Sequence, residues 1–502
     1  MATVRELTER LLVERPRPRV IATRPYAHWL AVGAVCLGAF LGQLTASVTA
    51  LVFPALERTF DAGFAAVAWV SLAYLLVLVV LLAPVGRLSD LIGRKTVYLG
   101  GFAVFALASF GAGAAGSLWI LVACRAVQAV GGAMMQANSV ALVARGVPER
   151  AMRTALGVQA AAQALGLALG PTLGGLLVQH ASWRWAFWVN VPIGLIGLVA
   201  GWFLLPRTDP DRAGRRLPRP EGRFDLAGLL LLAGAGTAAL LGLSAASGLP
   251  LPAWAVAVLL LLAAGLGLAL TRQERRADRP LIPPGLVNTP GIRTGLLIAL
   301  VGYLLLFCPL VLGPVVLAGA GVPVAVAGLV ITALPAAFAV AATVGGALLP
   351  GGWSDAARSR CGALVAALGL AGAALLPAAG AATVPTTAGS LAVAGYGLGL
   401  LLPANNALVM RAIPPASSAV GGGLLSMVRS LGTALGTALP VLGVHLAGPT
   451  AGGRAVLGLL VLVALTAAWA AGRTRNRAAR TAPTASQVPS ARSVLPGQGR
   501  KG

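Results

Sequence analysis

Fourteen runs of apolar residues recur along this chain, each long enough to cross a bilayer core, which takes roughly 20 residues as a helix. They occupy 29–54, 65–86, 97–115, 118–142, 154–178, 186–205, 225–244, 253–271, 292–317, 324–349, 362–379, 388–410, 417–446 and 454–472. Backbone groups inside hydrocarbon must be satisfied within their own segment, so the runs are expected to be helices; none alternates like a barrel strand. The expected fold class is all-α, a polytopic membrane protein with 14 transmembrane helices. Apolar residues make up 58% of the 502 and charged ones 10%, so lipid must solvate most of the surface.

A net charge of +24 would suit a nucleic-acid partner if the basic residues were clustered on one fold. They lie instead between the apolar runs. Of the 38 Lys and Arg, 33 fall in the two tails and the connections on the same side. Arg58, Arg184 and Arg454 fall opposite, and Arg125 and Arg429 lie inside runs. The positive-inside bias therefore predicts a protein of the cell's inner membrane with both termini cytoplasmic, the lipid bilayer as its partner, and no nucleic acid. Residues 1–28 show no small-residue cleavage site, so the first helix is expected to be its own insertion signal.

Four cysteines, Cys36, Cys124, Cys308 and Cys361, have no metal-ligand spacing, and no GxxxxGK[ST] loop is present. Neither a metal, a cofactor nor ATP hydrolysis is expected. Three His and peripheral acids assemble no catalytic group, so the chain is not expected to be an enzyme.

GRLSDLIGRK at 86–95 and GGWSDAARSR at 351–360 each follow the second run of a six-run set, 265 residues apart. The recurrence implies duplicated six-helix halves with runs 7 and 8 inserted as a hairpin. The expected divisions are a basic tail at 1–28, a bundle at 29–205, a linker at 206–224, the hairpin at 225–271, a linker at 272–291, a second bundle at 292–472 and a disordered basic tail at 473–502. In the two loops, Gly86 is expected to let helices approach, Asp90 to cap a helix or pair with an Arg of the other bundle, and Arg94 and Lys95 to sit at the anionic surface. Gly93 and Asp355 belong to the same gating set.

GRLSDLIGRK closely resembles the signature loop of the major facilitator superfamily, and further segments resemble its fourteen-helix drug:proton antiporter branch. These are LVACRAVQAVGGA at 121–133, GLALGPTLGG at 166–175, WRWAFWVNVPIG at 183–194 and WVSLAYLL at 69–76. The resemblance spans residues 29 to about 446. It implies the major facilitator fold, two six-helix bundles plus the inserted hairpin, and a monomeric secondary transporter exporting drug-like or natural-product molecules, with protons as the exchanged ion. A solute importer of the same fold and a non-transporting membrane sensor or scaffold are the alternatives. One departure stands out: where the branch carries an Asp in the first span, this chain has Thr45, inside GQLTASVTALVFP.

All fourteen acidic residues lie outside the middle of any run. Polar residues inside the runs are therefore the candidates for a substrate cavity. Run 4 puts Arg125, Gln128, Gly132, Gln136 and Ser139 on one helical face, and run 5 aligns Gln159, Gln163, Gly166 and Gly170, with Pro171 next. Gln43, Thr45, Asn405, Asn406 and Arg429 complete the cavity set, while Gly166, Gly170 and Pro171 join the gating set. Such stripes either line a cavity or only hydrogen-bond between helices. Likewise Arg125 either orients an anionic or carbonyl group of a small-molecule substrate or is satisfied by backbone carbonyls and water. A cavity with arginines and no carboxylate is expected to favour neutral, amphipathic or anionic cargo.

Overall fold

A computed structural model describes residues 17–148, 151–207, 225–249, 251–277, 280, 284–343, 353–375, 383–413 and 418–481. All regular structure among them is helical. Fourteen long helices are α1 Ala27–Phe60, α2 Phe64–Ile92, α3 Arg94–Gly113, α4 Leu118–Gly146, α5 Met152–His180, α6 Asn190–Leu204, α7 Leu226–Ala246, α8 Ala253–Arg276, α9 Pro290–Gly319, α10 Val324–Thr343, α11 Asp355–Leu375, α12 Thr383–Ala412, α13 Ser418–Ala447 and α14 Gly453–Thr481. A π-turn at Gly448–Gly452 joins the last two. The end at which α1 begins and α14 finishes is called the terminal end below.

Packing partners repeat with an offset of eight helices. In the first bundle α1 packs on α5, α3 on α4 and α6, and α2 on α4; in the second α9 packs on α13, α11 on α12 and α14, and α10 on α12. Small residues make the matching contacts. A Cβ at Gly101 of α3 would lie 2.9 Å from the carbonyl of Gly131 in α4, and one at Gly362 of α11 would lie 2.5 Å from that of Gly397 in α12. Without water to drive association, close backbone approach of this kind holds membrane helices together. Among the described residues the bundles meet mainly through three helix pairs, α5 on α10, α2 on α13, and α1 on α9. Helix α7 packs on α2 and α13, and α8 packs mainly on α7, so the hairpin covers the α2/α13 seam and leaves the α5/α10 seam uncovered. Asp225 starts the hairpin, its Oδ1 accepting from Gly228 N at 2.8 Å and from Gln273 Nε2 at 2.9 Å.

Several expectations need correction. Residues 86–92 form no loop but finish α2, and the turn into α3 is Gly93 alone, at φ 116°. That backbone region is open to glycine and strained for other residues. Among the described residues a Cβ at Gly86 would meet nothing within 4 Å, so no close approach is seen there. Lys95 is 2% exposed and reaches no lipid surface; its Nζ donates to the carbonyls of Trp202 and Leu205 at 3.0 and 2.7 Å, capping α6. Arg94 is half-buried at the start of α3, and the side chain of Asp90 lies outside the described residues. Helix α11 starts at Asp355, seven residues before the expected 362, because Ser354 Oγ caps Ala357 N at 3.3 Å. Helix α14 continues to Thr481, past the expected tail boundary at 473, and the rest of that tail lies outside the described residues. Residues 344–349 of the expected tenth span lie outside them too.

Candidate functional site

Arg429 sits in α13 and Gln163 in α5, each eleven residues from its helix start, about 16 Å along the axis at 1.5 Å per residue. Helices α5 and α13 occupy corresponding places in the two bundles, and the repeat can be read residue by residue. A Cβ at Gly166 would lie 2.4 Å from the carbonyl of Phe40 in α1, and one at Gly432 would lie 2.3 Å from that of Leu300 in α9. Gln163 and Arg429 precede these glycines by three residues, so they are counterparts, and Gln43 and Tyr303 follow Phe40 and Leu300 by three. The two counterparts on α5 and α13 meet: Arg429 Nη1 donates to Gln163 Oε1 at 3.3 Å.

Two adjoining cavities open between the bundles, and Gln43, Gln163, Tyr303 and Arg429 line both. The smaller lies toward α2 and α4, against Tyr74, Gly132, Gln136 and Ser139. The larger, about 650 Å³, runs toward the terminal end between α5 and α10 with α12, past Thr154, Val158, Ala161, Thr343 and Asn406. Such a volume accommodates a drug-sized molecule. Arg429 is the one charged residue on either wall among the described residues, and its guanidinium lies 5.8 Å from the Tyr303 ring centroid. Gln136 Nε2, also on the wall, has no hydrogen-bond partner among the described residues.

The opposite end of the seam is shut. Pro171, Thr172, Gly175 and Gln179 share one face of α5 and press on Val324, Ala325, Gly328 and Thr332 of α10. A Cβ at Gly328 would lie 2.5 Å from the Pro171 carbonyl, and one at Gly175 would lie 2.8 Å from that of Val324. Thr172 Oγ1 and Thr332 Oγ1 share a hydrogen bond at 2.7 Å, and Gln179 Oε1 accepts from Ala325 N at 2.8 Å.

Half of the expected cavity set lies elsewhere. Arg125, 1% exposed, is enclosed in the first bundle: Nε donates to Val70 O at 2.9 Å, Nη1 to Gln128 Oε1, and the guanidinium lies 4.3 Å from the Tyr74 ring centroid. Tyr74 separates it from the cavity that this ring itself lines. Gln128 passes the chain on to Ser109 Oγ at 2.5 Å, Gln159 donates to Ser139 Oγ, and Asn405 Nδ2 donates to Gly295 O at 2.8 Å. Thr45 donates to Asn190 Oδ1 at 2.9 Å and is fully buried. These are satisfied interhelical bonds. Gly166 and Gly170 pack on Phe40, Ser47 and Val48 of α1 inside the first bundle, not on the inter-bundle seam, whereas Pro171 does face α10. Asp355 pairs with Arg411 between α11 and α12, within the second bundle and not across to the first.

The contacts across the closed seam went unread in the sequence, although a signal for the repeat was there. ALVAR at 141–145 recurs as ALVMR at 407–411, and GLALG at 166–170 as GTALG at 432–436, both 266 residues on. That offset pairs Gln163 with Arg429 directly.

The sequence matches the Major Facilitator Superfamily over residues 35–318. The tetracenomycin C resistance and export protein of Streptomyces glaucescens is 32% identical over 267 residues, 53% of this chain and 48% of that protein, so the match spans about half the length of that relative. The methylenomycin A resistance protein of Streptomyces coelicolor is 30% identical over 467 residues, covering 90% of this chain and 94% of that one. Among solved structures the nucleoside transporter NupG is similar in fold, with a TM-score of 0.61 at 11% identity over 88% of this chain and 98% of that one. A family match over more than half of the chain, a relative aligned almost end to end, and paired six-helix bundles around a shared cavity lead to one conclusion: the chain belongs to the Major Facilitator Superfamily.

Proposed function

We propose that this chain is a secondary active transporter that exports drug-like or natural-product small molecules across the cytoplasmic membrane by alternating access. The cargo sits among Gln43, Gln163, Tyr303 and Arg429. One observation carries the reading: the space between the bundles is shut where Pro171 meets Gly328 and widens toward the terminal end past Thr154 and Thr343. If the basic residues place that end in the cytoplasm, this is the state that loads cargo from inside. Rocking the bundles about the α1/α9 contact opens the α5/α10 seam and releases the cargo outside. The names of two relatives, a resistance and export protein and a resistance protein, support outward movement of natural products.

The test is expression in a bacterial strain stripped of its own efflux pumps, with drug susceptibility and uptake into everted vesicles read together. The expected result is raised tolerance to a subset of amphipathic compounds, with the same compounds accumulated by everted vesicles. Unchanged susceptibility and no vesicle uptake, with the chain folded in the membrane, would contradict the reading; uptake by right-side-out vesicles alone would make it an importer.

A further inference from the structure

We propose that the cargo of this site is an organic anion held on Arg429, and that its export is driven by the membrane potential without a titrating protein carboxylate. The proposal rests on the transport reading above and names its substrate class and driving force.

The charge inventory comes first. The acids nearest to membrane depth are Glu57, Asp90, Glu274 and Asp355, and each stands within four residues of an end of its helix. Glu57, Glu274 and Asp355 line neither cavity, and the side chain of Asp90 lies outside the described residues. Arg125, the other cation inside a span, is spent on Val70 O, Gln128 and the Tyr74 ring. Among the described residues the central space thus carries one formal charge, and it is positive.

Arg429 is also the unspent member of the pair. Of its five N–H groups one donates, to Gln163 Oε1 at 3.3 Å, and no other side-chain hydrogen bond holds it among the described residues. A half-buried cation within a membrane span needs a partner or water, and a planar guanidinium with free donors matches a carboxylate, sulfonate or acidic enol. Gln136 Nε2 adds a further unpartnered donor on the wall. The Tyr303 ring lies 5.8 Å from the guanidinium and Phe307 lines the same smaller cavity, which suits an anion with an apolar, flat body. A cation would meet Arg429 with no acid among the described wall residues to offset it.

The driving force follows from this charge. Arg429 returns in every cycle, so the net charge moved is that of the cargo alone. An anion leaving a cell that is negative inside moves down the potential, and one elementary charge across about 100 mV is worth about fifty-fold in equilibrium ratio. Proton exchange, which the fifth-helix motif implies, is then unnecessary.

The experiment uses the full chain in liposomes with three probes: pyrene-1-sulfonate, which stays anionic at all working pH values, the neutral pyrene-1-sulfonamide, and a pyrenyl trimethylammonium. A potassium gradient with valinomycin sets the potential at equal pH on both sides, and a pH gradient is imposed separately at zero potential. The expected result is sulfonate flux that reverses with the sign of the potential and ignores the pH gradient. Arg429→Gln should lower sulfonate flux about ten- to hundredfold more than sulfonamide flux, and Arg429→Lys should restore the preference. Sulfonate flux that follows the pH gradient and not the potential overturns the driving force. Faster movement of the cation than of the sulfonate, or equal loss of both fluxes in Arg429→Gln, overturns the anion assignment and leaves the transport reading standing. Movement of no probe above protein-free liposomes overturns both.

Discussion

A methyl group placed on either glycine of the closed seam should drive the two helices apart and change which end of the protein is open. At Gly328 the added Cβ would lie 2.5 Å from the Pro171 carbonyl, and at Gly175 it would lie 2.8 Å from that of Val324. Both clashes are with backbone, which cannot rotate away as a side chain could. Overpacking of this kind costs about 1–3 kcal/mol. The Thr172–Thr332 hydrogen bond, 2.7 Å long, stretches as the helices part and adds about 0.5–1.5 kcal/mol. Together they come to about 1.5–4.5 kcal/mol, and the midpoint near 3 kcal/mol corresponds to a shift of roughly 150-fold in the ratio of closed to open seam. Transporter states commonly differ by only a few kcal/mol, so a dominant state becomes a minor one. The assay is cross-linking of Gln179→Cys to Ala325→Cys with a short bifunctional thiol reagent, after Cys36, Cys124, Cys308 and Cys361 are replaced; these positions face each other because Gln179 reaches Ala325 N at 2.8 Å. Adding Gly328→Ala or Gly175→Ala should slow the reaction at least tenfold, and Gly389→Ala, whose Cβ meets nothing within 4 Å, should leave it unchanged. An unchanged rate in a Gly328→Ala protein that unfolds at its usual temperature would refute the reasoning.

Three further outcomes are expected. Arg125→Met leaves Val70 O and Gln128 without their charged donor inside the first bundle and should lower stability by about 2–4 kcal/mol, seen as an earlier unfolding transition in detergent, while leaving the anion preference of the surviving folded protein intact. Gly93→Ala forces a side chain onto φ 116° at the α2–α3 turn and should cost about 1–3 kcal/mol, read in the same melt; a neutral result would mean the turn tolerates another backbone path. Asp225→Ala removes the acceptor for Gly228 N and Gln273 Nε2 and should loosen the start of the hairpin by about 1–2 kcal/mol, measured as faster hydrogen exchange over the first turn of α7 with no change in α1–α6.

The spans were legible because hydrocarbon tolerates one kind of segment, and fourteen apolar runs leave little freedom in where helices go. Arg429 and Gln163 were legible for a related reason: a polar side chain in an apolar run must face something polar. Which polar partner it meets was not. Helical periodicity puts Arg125, Gln128, Gln136 and Ser139 on one stripe, yet that stripe begins inside the first bundle, against Val70 and Ser109, and reaches the cavity only at Gly132, Gln136 and Ser139. Periodicity names a face and not its neighbour. The same limit misassigned Thr45, Gln159 and Asn405, each closed off by one interhelical bond. Lys95 reads as a surface charge by type, but a pair of backbone carbonyls claims it, and Asp355, expected in the gating set, pairs with Arg411 of its own bundle. Gly86 and Gly93 show that a glycine's role depends on φ and on neighbours that only the folded chain supplies.

Whether cargo occupies the space between the bundles can be measured at one side chain. Gln43→Cys, in a chain with its native cysteines replaced, lies on the wall of both cavities and should react with a membrane-permeant maleimide. A compound that the chain exports should slow that reaction in proportion to its occupancy, with no such effect at Thr23→Cys near the start of α1. Labelling of position 43 that no exported compound slows would place the cargo elsewhere and contradict the account.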